Sequence, residues 1–260
     1  MLRHTESIRR VELNHPRFAS RHELPPLLEG LRKEKERLRA SRAVLRVLTD
    51  QAIERHGFRV EAEIPTRSGI LAFFGLNDAS RTPTEAVLHE ETRYLSRVLC
   101  SQRRPIPEGL DIVRLGTGFA EELSQLYIGT YSFYPMILDE GTVSGLLGEY
   151  PAFGVVQDGK LVSALFGIPL NFGPLTAVEY TLSATIPSAR GVGLTSALAL
   201  KIREDAEEKF RDPLMLAETV AAPVMHSCHD IGMSVRGVLR EHYKIGIGER
   251  TYTNFYVWSL

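Results

Sequence analysis

The segment that decides the fold is residues 183–195, which read Ser-Ala-Thr-Ile-Pro-Ser-Ala-Arg-Gly-Val-Gly-Leu-Thr. Its two glycines let the backbone turn sharply and expose consecutive N–H groups. The helix that should follow adds unpaired N–H donors and the positive end of its dipole. Such a turn is suited to an anion and predicts a cradle for a pyrophosphate, helped by a charge-assisted bond from Arg190. The expected cofactor-binding residues are Ala184, Thr185, Arg190, Gly191, Val192, Gly193, Leu194 and Thr195.

Regular patterns flank this segment on both sides. Residues 178–184 alternate apolar and polar, which predicts a strand, and 193–210 carry apolar residues every four positions, which predicts a helix. Upstream, Asp158-Gly159 is a hairpin turn signal between two apolar runs. Downstream, the pattern predicts a strand over 214–220, a short helix over 224–231 and two final strands. This order predicts an α+β (mixed α/β) fold with a mostly antiparallel central sheet flanked by helices.

A linker-like stretch, residues 103–109, contains two prolines and a glycine and marks the expected domain boundary. Residues 1–104 then form an N-terminal α/β extension, and residues 105–260 form the domain that carries the glycine turn. The order of predicted elements over 41–98 resembles the order over 193–245. A degenerate half-copy of the second domain is therefore one interpretation of the extension.

Within the extension, apolar residues at heptad spacing predict a helix from Leu31 through Leu38 and Leu45. Pro25-Pro26 is expected to stop any helix before that point. Alternation over 58–64 predicts a strand.

Composition indicates a globular protein without a polyanionic partner. The 260 residues are 43% hydrophobic and 24% charged, with a formal net charge of -1. This balance argues against nucleic acid as the main partner. Two cysteines without paired spacing, Cys100 and Cys228, argue against a disulfide framework and favour a cytoplasmic location. Neither a signal peptide nor a membrane-length apolar run is found, so no membrane partner is expected; a homodimer is left open.

The glycine spacing excludes two other phosphate-binding turns. No Gly-Lys-Ser/Thr follows, as a P-loop requires, and the third glycine of a dinucleotide fingerprint is missing. A strand, an Arg-Gly-x-Gly turn and a helix resemble instead the acyl-CoA-binding motif of the GNAT superfamily, Gln/Arg-x-x-Gly-x-Gly/Ala. Arg190 and Gly193 match that motif, and Thr195 replaces its last small residue. The alternative is an ordinary loop whose glycines only tighten the turn.

The resemblance extends to the beta-lysine N-acetyltransferase family, including its N-terminal extension. It rests on Tyr131-Ser-Phe-Tyr134-Pro135, Glu179-Tyr-Thr181 and Tyr256-Val-Trp258. Three positions depart from that family's pattern. Leu182 stands in place of an acidic residue, Met225 in place of an asparagine, and His242-Tyr-Lys in place of paired asparagines. These changes fall where the acceptor would bind, so an acceptor other than beta-lysine is expected.

The resemblance implies acetyl-CoA as co-substrate and transfer of its acyl group to the amine of a small metabolite. A primary ammonium, with a pKa near ~10, must first lose a proton. Glu179 matches the position where many members keep their base. Cys228, four residues before Gly232, occupies the place of the proton-donating tyrosine, and Tyr243 and Tyr180 are the other candidate donors. Acceptor-binding residues implied by the resemblance are Tyr131, Phe133, Tyr134 and Tyr180.

Three alternatives were weighed against this function. A catalytically silent acyl-CoA-binding sensor would keep the cradle and lose the acid–base groups. A protein lysine acetyltransferase would present an open acceptor groove. A metal site at His226, Cys228 and His229 lacks the remaining ligands, so no metal is expected.

Overall fold

The computed structural model describes residues 2–5, 10–20, 22–77 and 85–260. Its α-helices are α1 Leu24–Arg37, α2 Glu85–Cys100, α3 Ala120–Thr130, α4 Glu140–Glu149, α5 Leu194–Lys209 and α6 Val224–Asp230. The strands before residue 110 are β1 Leu2–Thr5, β2 Arg10–Asn14, β3 Arg42–Thr49, β4 Arg59–Thr66 and β5 Gly69–Asn77. The later strands are β6 Ile112–Arg114, β7 Tyr131–Phe133, β8 Ala152–Gln157, β9 Lys160–Asn171, β10 Thr176–Thr185, β11 Leu214–Thr219, β12 Ser234–Leu239, β13 Ile245–Ile247, β14 Arg250–Tyr252 and β15 Phe255–Ser259. None of the helices within the described ranges is both long and apolar enough to cross a membrane.

Twelve of the described strands form one sheet, in the order β1-β2-β3-β5-β4-β12-β15-β11-β10-β9-β8-β6. Neighbours pair antiparallel except at β2/β3 and β10/β11, which are parallel. Helices α3 and α4 pack over one face of β8 and β9, α5 packs over the other face of β8, β9 and β10, and α6 lies beside α5 against β11. The predicted fold class, a mostly antiparallel mixed sheet flanked by helices, is confirmed. β7, β13 and β14 form a separate three-stranded sheet.

The two ends of the chain share one topology. β10 and β11 are parallel and joined by α5, and β15 and then β12 follow in antiparallel pairing. β2 and β3 are likewise parallel and joined by α1, and β5 and then β4 follow antiparallel. The outer strands of the two sets, β4 and β12, pair with each other at Ala62 and Gly237. The sheet is therefore continuous across the expected domain boundary, which itself stays a prediction.

The predicted heptad helix is wrong beyond Arg37. Leu31 lies in α1, but Leu45 and Leu48 lie in β3, where every residue is buried. A strand covered on both faces shows no alternation, so an accidental spacing of leucines dominated the pattern. The expectation for Pro25-Pro26 is also wrong, because the prolines occupy the first turn of α1. A proline is tolerated there since its missing N–H would have no helical partner.

The sheet bends so that its N-terminal strands face the strands that carry the glycine turn. One buried cluster joins Leu48 and Phe73 of the N-terminal strands to Leu216 of β11 and Phe255 of β15. In the sheet order β5, β4, β12 and β15 lie between β3 and β11. At about 4.8 Å per strand, a flat sheet would hold β3 and β11 more than 20 Å apart. The bend therefore places N-terminal side chains over β10 and β11.

Replacing Gly237 by alanine is expected to lower the free energy of unfolding by about 1–3 kcal/mol. A Cβ at this position would clash with the backbone of Glu61 and with Ala62, where β12 and β4 join. Gly145→Ala in α4 is the matched control, because a Cβ there meets nothing within 4 Å. The control should be neutral or gain about 0.5–1 kcal/mol in urea unfolding. Equal stability of the two variants would contradict this role of Gly237.

Candidate functional site

Strands β10 and β11 separate halfway along their length. Their parallel pairing runs from Ala177↔Leu214 to Tyr180↔Ala217 and ends there. On the other side of β10, a register shift between Thr181 and Ala184 breaks the pairing with β9, and Leu182 has φ 52°. Leu182 and Ser183 therefore have no ladder partner on either neighbouring strand within the described pairings. A bulge of this kind frees backbone groups at a functional site.

Two tyrosine hydroxyls hold the bulge in place. Tyr127 donates a hydrogen bond to the carbonyl of Leu182 at 3.0 Å, and Tyr131 donates to the carbonyl of Ser183 at 2.6 Å. Burial raises the pKa of both phenols well above their ordinary value. Both hydroxyls therefore stay protonated and remain donors. These two hydrogen bonds fix the orientation of the backbone of β10 at the bulge.

A cavity of about 460 Å³ opens where β10 and β11 part. It runs from the glycine turn at the start of α5 to Glu218 and Tyr243, where residues of β7 and β13 also line it. Among the described residues, its charged lining residues are Arg104, Arg190 and Glu218. Arg104 forms an ion pair with Asp230 at 2.7 Å, and its linker packs Pro107 against Gly193. Arg190 therefore borders the cradle end, Arg104 borders the cavity beside the last residue of α6, and the carboxylate lies away from the glycine turn.

The glycine turn has the geometry that its sequence predicts. Gly191 has φ 84°, and Gly193 has φ 85° and precedes the first residue of α5. No side chain of the described residues caps this helix N-terminus, so its first-turn amides are available to a ligand. The Nε of Arg190 donates to the carbonyl of Thr185 at 3.0 Å. Of the expected cofactor-binding residues, the cavity is lined by Thr185, Arg190, Gly191, Gly193, Leu194 and Thr195.

Two of those expected residues point elsewhere. Ala184 is 2% exposed and packs in the core beneath α3. Val192 is 58% exposed and is not among the described residues that line the cavity.

The expected acceptor-binding aromatics divide in the same way. Tyr131 and Tyr134 line the cavity, with ring centroids 4.8 Å apart. Tyr180 lines it as well, and its buried hydroxyl has no hydrogen-bond partner among the described residues. The side chain of Phe133 is 42% exposed, and Phe133 is not among the described residues that line the cavity. The rings of Tyr131 and Tyr134 thus form a wall at the end away from the cradle, whereas Tyr180 packs in the buried cluster that contains Leu194 and Leu198 of α5.

A buried charge cluster lies behind this wall, and sequence reasoning missed most of it. Arg46 of β3, with a side chain 5% exposed, contacts three carboxylates. Its guanidinium nitrogens lie 2.5 Å from Glu218, 3.2 Å from Glu12 and 3.4 Å from Glu179. Arg10 in turn pairs with Glu12. The N-terminal strands therefore supply a cation to the acceptor end of the cavity.

Glu218 has a second close neighbour in His242. The Nε2 atom of His242 lies 3.2 Å from a Glu218 oxygen, and both side chains are almost fully buried. Burial, together with the nearby Arg10 and Arg42, lowers the pKa of His242 well below its ordinary value, so the ring is neutral. Burial raises the pKa of Glu218, and the charge of Arg46 opposes this rise.

A signal for this cluster exists in the sequence. Arg46 interrupts the apolar run 43–48, and Glu218 interrupts 214–220. A charged residue inside a buried strand requires a partner. The sequence does not say which partner, because Arg46 and Glu179 are 133 residues apart.

The three expected catalytic residues occupy different positions. Glu179 contacts Arg46 and is not among the described residues that line the cavity. Cys228 and Tyr243 do line it. Burial raises the pKa of Cys228 to about 12 and that of Tyr243 well above its ordinary value. Both groups therefore stay protonated at neutral pH. No group of three His, Cys, Asp or Glu side chains in the described ranges could hold a metal ion.

Thiol labelling should distinguish the two cysteines. At pH 8 a disulfide reagent is expected to modify exposed Cys100 quickly and to leave buried Cys228 unmodified, because the thiolate is the reactive form. Cys100→Ser should remove the fast phase in stopped-flow measurements, and urea should expose the second thiol. A fast phase that persists in the folded Cys100→Ser protein would contradict the burial of Cys228.

Comparison with known proteins gives a likeness among solved structures only. No protein-family profile and no curated protein matches the chain. A putative acetyltransferase from Salmonella typhimurium, solved with its cofactor acetyl-CoA, is 14% identical, covers 59% of this chain and 94% of its own, and has a TM-score of 0.48. A putative GNAT-family acetyltransferase from Desulfovibrio desulfuricans is 20% identical over 58% of this chain and 98% of its own (TM-score 0.47). Drosophila melanogaster polyamine N-acetyltransferase is 12% identical over 58% and 99% (TM-score 0.47).

Proposed function

We propose that this chain is an acyl-CoA-dependent N-acyltransferase that transfers an acetyl group to the amine of a small metabolite. The observation that carries the proposal is the division of charge along one cavity. Helix amides that no described side chain caps, together with Arg190, border one end, and Glu218 lies at the other. An anionic diphosphate suits the first end, and a cationic amine suits the second.

The residues of the turn would hold the coenzyme. The amides of Gly193, Leu194 and Thr195 can donate to the diphosphate, and Arg190 can add a charge-assisted bond. The remaining chain of the coenzyme would lie in the gap between β10 and β11, where the described strand pairings leave backbone groups without ladder partners. Acetyl-CoA supplies the activated acyl group. The backbone N–H groups at the bulge can stabilise the charge that develops on the thioester oxygen.

Proton transfer requires a carboxylate at the acceptor end and a donor for the departing sulfur. The resemblance assigns the first role to Glu179, and the same strand face also offers Glu218. For the second role, Cys228, Tyr180 and Tyr243 are all protonated groups in the cavity lining. Tyr180 is favoured because its buried hydroxyl has no hydrogen-bond partner in the part of the chain that the structure describes.

The acceptor is a small molecule rather than a protein lysine, because the N-terminal strands cover the acceptor end. Glu218 is 2% exposed at its side chain and lies beneath Arg46 of β3. A folded protein could not reach it without displacing β3. The resemblance to the beta-lysine N-acetyltransferase family supports an amino acid or diamine. Because Leu182 lines the cavity and His242 contacts Glu218, the departures from that family favour a different acceptor.

A thiol-release assay with acetyl-CoA and a panel of amino acids and polyamines tests the proposal. We expect release of coenzyme A above background hydrolysis with at least one cationic amine, together with mass-spectrometric detection of the N-acetylated product. Tight binding of acetyl-CoA with no turnover across the panel would favour the silent sensor instead. Absence of both binding and turnover would refute the proposal.

A further inference from the structure

We infer that Glu218 is the catalytic base that takes the acceptor's proton, and that Arg46 of the N-terminal strands is the residue that positions it. The inference rests on the proposed function and deepens it. It reassigns the role that the resemblance gives to Glu179. It also gives the N-terminal extension a part in the chemistry.

The first support is the position of Glu218 relative to the opening between the strands. The β10/β11 pairing ends at Tyr180↔Ala217, so Glu218 is the first residue of β11 beyond it. Glu218 lines the same cavity as the bulge residues Leu182 and Ser183. A carboxylate here faces the place where the thioester would lie against the bulge. Glu179 precedes Tyr180, the last residue of β10 that pairs with β11. Its side chain contacts Arg46, and it is not among the described residues that line the cavity.

The second support is that both oxygens of the Glu218 carboxylate have close, buried neighbours. Arg46 approaches one carboxylate oxygen at 2.5 Å, and His242 approaches the other at 3.2 Å. Arg46 is itself fixed by Glu12 and Glu179, so it cannot follow the substrate. A base held by fixed neighbours keeps its geometry when the acceptor binds.

The third support is electrostatic. Among the described residues that line the cavity, Glu218 is the one carboxylate. A cationic acceptor is therefore attracted to that end of the cavity. The phenols of Tyr134 and Tyr243, which also line the cavity, can flank an ammonium.

The proton balance of the step is complete without any further reagent. The acceptor ammonium loses one proton from nitrogen to a Glu218 oxygen, which frees the lone pair. Nitrogen then forms a bond to the thioester carbon, and the carbon–sulfur bond breaks with its electron pair going to sulfur. A second proton from nitrogen ends on the thiolate, directly or through Tyr180. Glu218 finally releases its proton to water.

The first test compares Glu218→Gln with Glu179→Gln in the full chain. Folding is checked by circular dichroism, and acetyl-CoA affinity by calorimetry. We expect Glu218→Gln to lower kcat/KM for the amine by about 10²–10⁴-fold with acetyl-CoA affinity retained. Glu179→Gln, which removes one of three partners of Arg46, should lower it by about tenfold or less. The reverse order of the two losses would overturn the assignment.

A second variant keeps the test decisive if Glu218→Gln does not fold. Glu218→Asp keeps the charge that pairs with Arg46 but withdraws the carboxylate by one methylene. It should lose kcat by at least about tenfold, because a misplaced base transfers protons poorly. An undiminished kcat in a folded Glu218→Asp enzyme would also overturn the assignment.

The role of Arg46 is tested by a pH profile, which a purely structural role would not move. Removing the cation in Arg46→Gln disfavours ionised Glu218 and raises its pKa. The acidic limb of the plot of kcat against pH should therefore move to higher pH in Arg46→Gln, whereas in Arg46→Lys, which keeps the cation, it should stay close to that of the wild type.

Charged and titratable groups around Glu218 come from several elements: Arg10 and Glu12 on β2, Arg42 and Arg46 on β3, Tyr134 after β7, Glu179 on β10, and His242 and Tyr243 before β13. Arg46 is the only one of these groups that differs between the wild type and the two variants. An acidic limb at the same pH in Arg46→Gln as in the wild type would therefore refute the positioning role of Arg46.

These outcomes are separable from failure of the proposed function. If the wild-type chain binds no acetyl-CoA and transfers no acetyl group, the proposed function fails before either variant is compared. If the wild type is active and Glu218→Gln retains its rate and pH profile, the function stands and the inference fails.

Discussion

Replacing Gly193 by valine is expected to raise the dissociation constant for acetyl-CoA by at least about tenfold, a loss of roughly 1.4 kcal/mol. Gly193 has φ 85° and ψ 13°, a left-handed conformation that side chains with Cβ branching strongly disfavour. A Cβ there would also lie 2.9 Å from the Cδ atom of Pro107. The turn must therefore shift, and the amides at the start of α5 would no longer converge on one site. Calorimetric titration of the variant with acetyl-CoA measures the effect.

Gly109→Val is the matched control for this prediction. Gly109 also has positive φ, 68°, but a Cβ there meets no atom within 4 Å and the residue is outside the described cavity lining. The control should lose stability through backbone strain and keep its affinity for acetyl-CoA. If Gly193→Val bound acetyl-CoA as tightly as Gly109→Val, the cradle would not be where the coenzyme binds.

Replacing Arg46 by methionine is expected to lower the free energy of unfolding by about 3–5 kcal/mol. The guanidinium is almost fully buried and contacts Glu12, Glu179 and Glu218. Without it, three carboxylates remain close together in a region shielded from water. Because β3 carries this residue and faces β11, the loss should weaken the packing of the N-terminal strands over the site. Urea unfolding at pH 7, followed by tryptophan fluorescence of buried Trp258, gives the measurement.

Arg32→Met in α1 provides the comparison. Arg32 also has carboxylate partners, Glu29 and Glu36, but its side chain is 36% exposed and water can replace them. Its unfolding midpoint should stay close to that of the wild type. A loss in Arg46→Met no larger than in Arg32→Met would mean that the cluster contributes little to the fold.

The elements around the glycine turn were predictable because their signals are local. Asp158 and Gly159 have φ 50° and 72°, as their hairpin turn requires, and β8 and β9 pair across them. The spacing of apolar residues in α5 and the two glycines before it predict both a helix and its exposed N-terminus. Each of these inferences needs only a window of a few residues.

The acceptor end was not predictable in the same way, because it is built from contacts that are distant in sequence. β3 is buried along its whole length, so its pattern resembled a helix, and Arg46 had no visible partner. The bend of the sheet at the β4–β12 junction brings Arg46 to Glu218, and no local pattern encodes that bend. The resemblance singled out Glu179, and the pairing of Glu179 with Leu216 places Glu218 on the same face of the neighbouring strand. Sequence reasoning therefore found the correct face of the sheet but missed one of its two carboxylates.

Calorimetric titration of the wild-type chain with acetyl-CoA is the most direct test of the central claim, that the amides at the start of α5 bind the diphosphate of an acyl-CoA. The account predicts saturable binding to one site per chain, with free coenzyme A competing for it. No detectable binding at millimolar acetyl-CoA would contradict it.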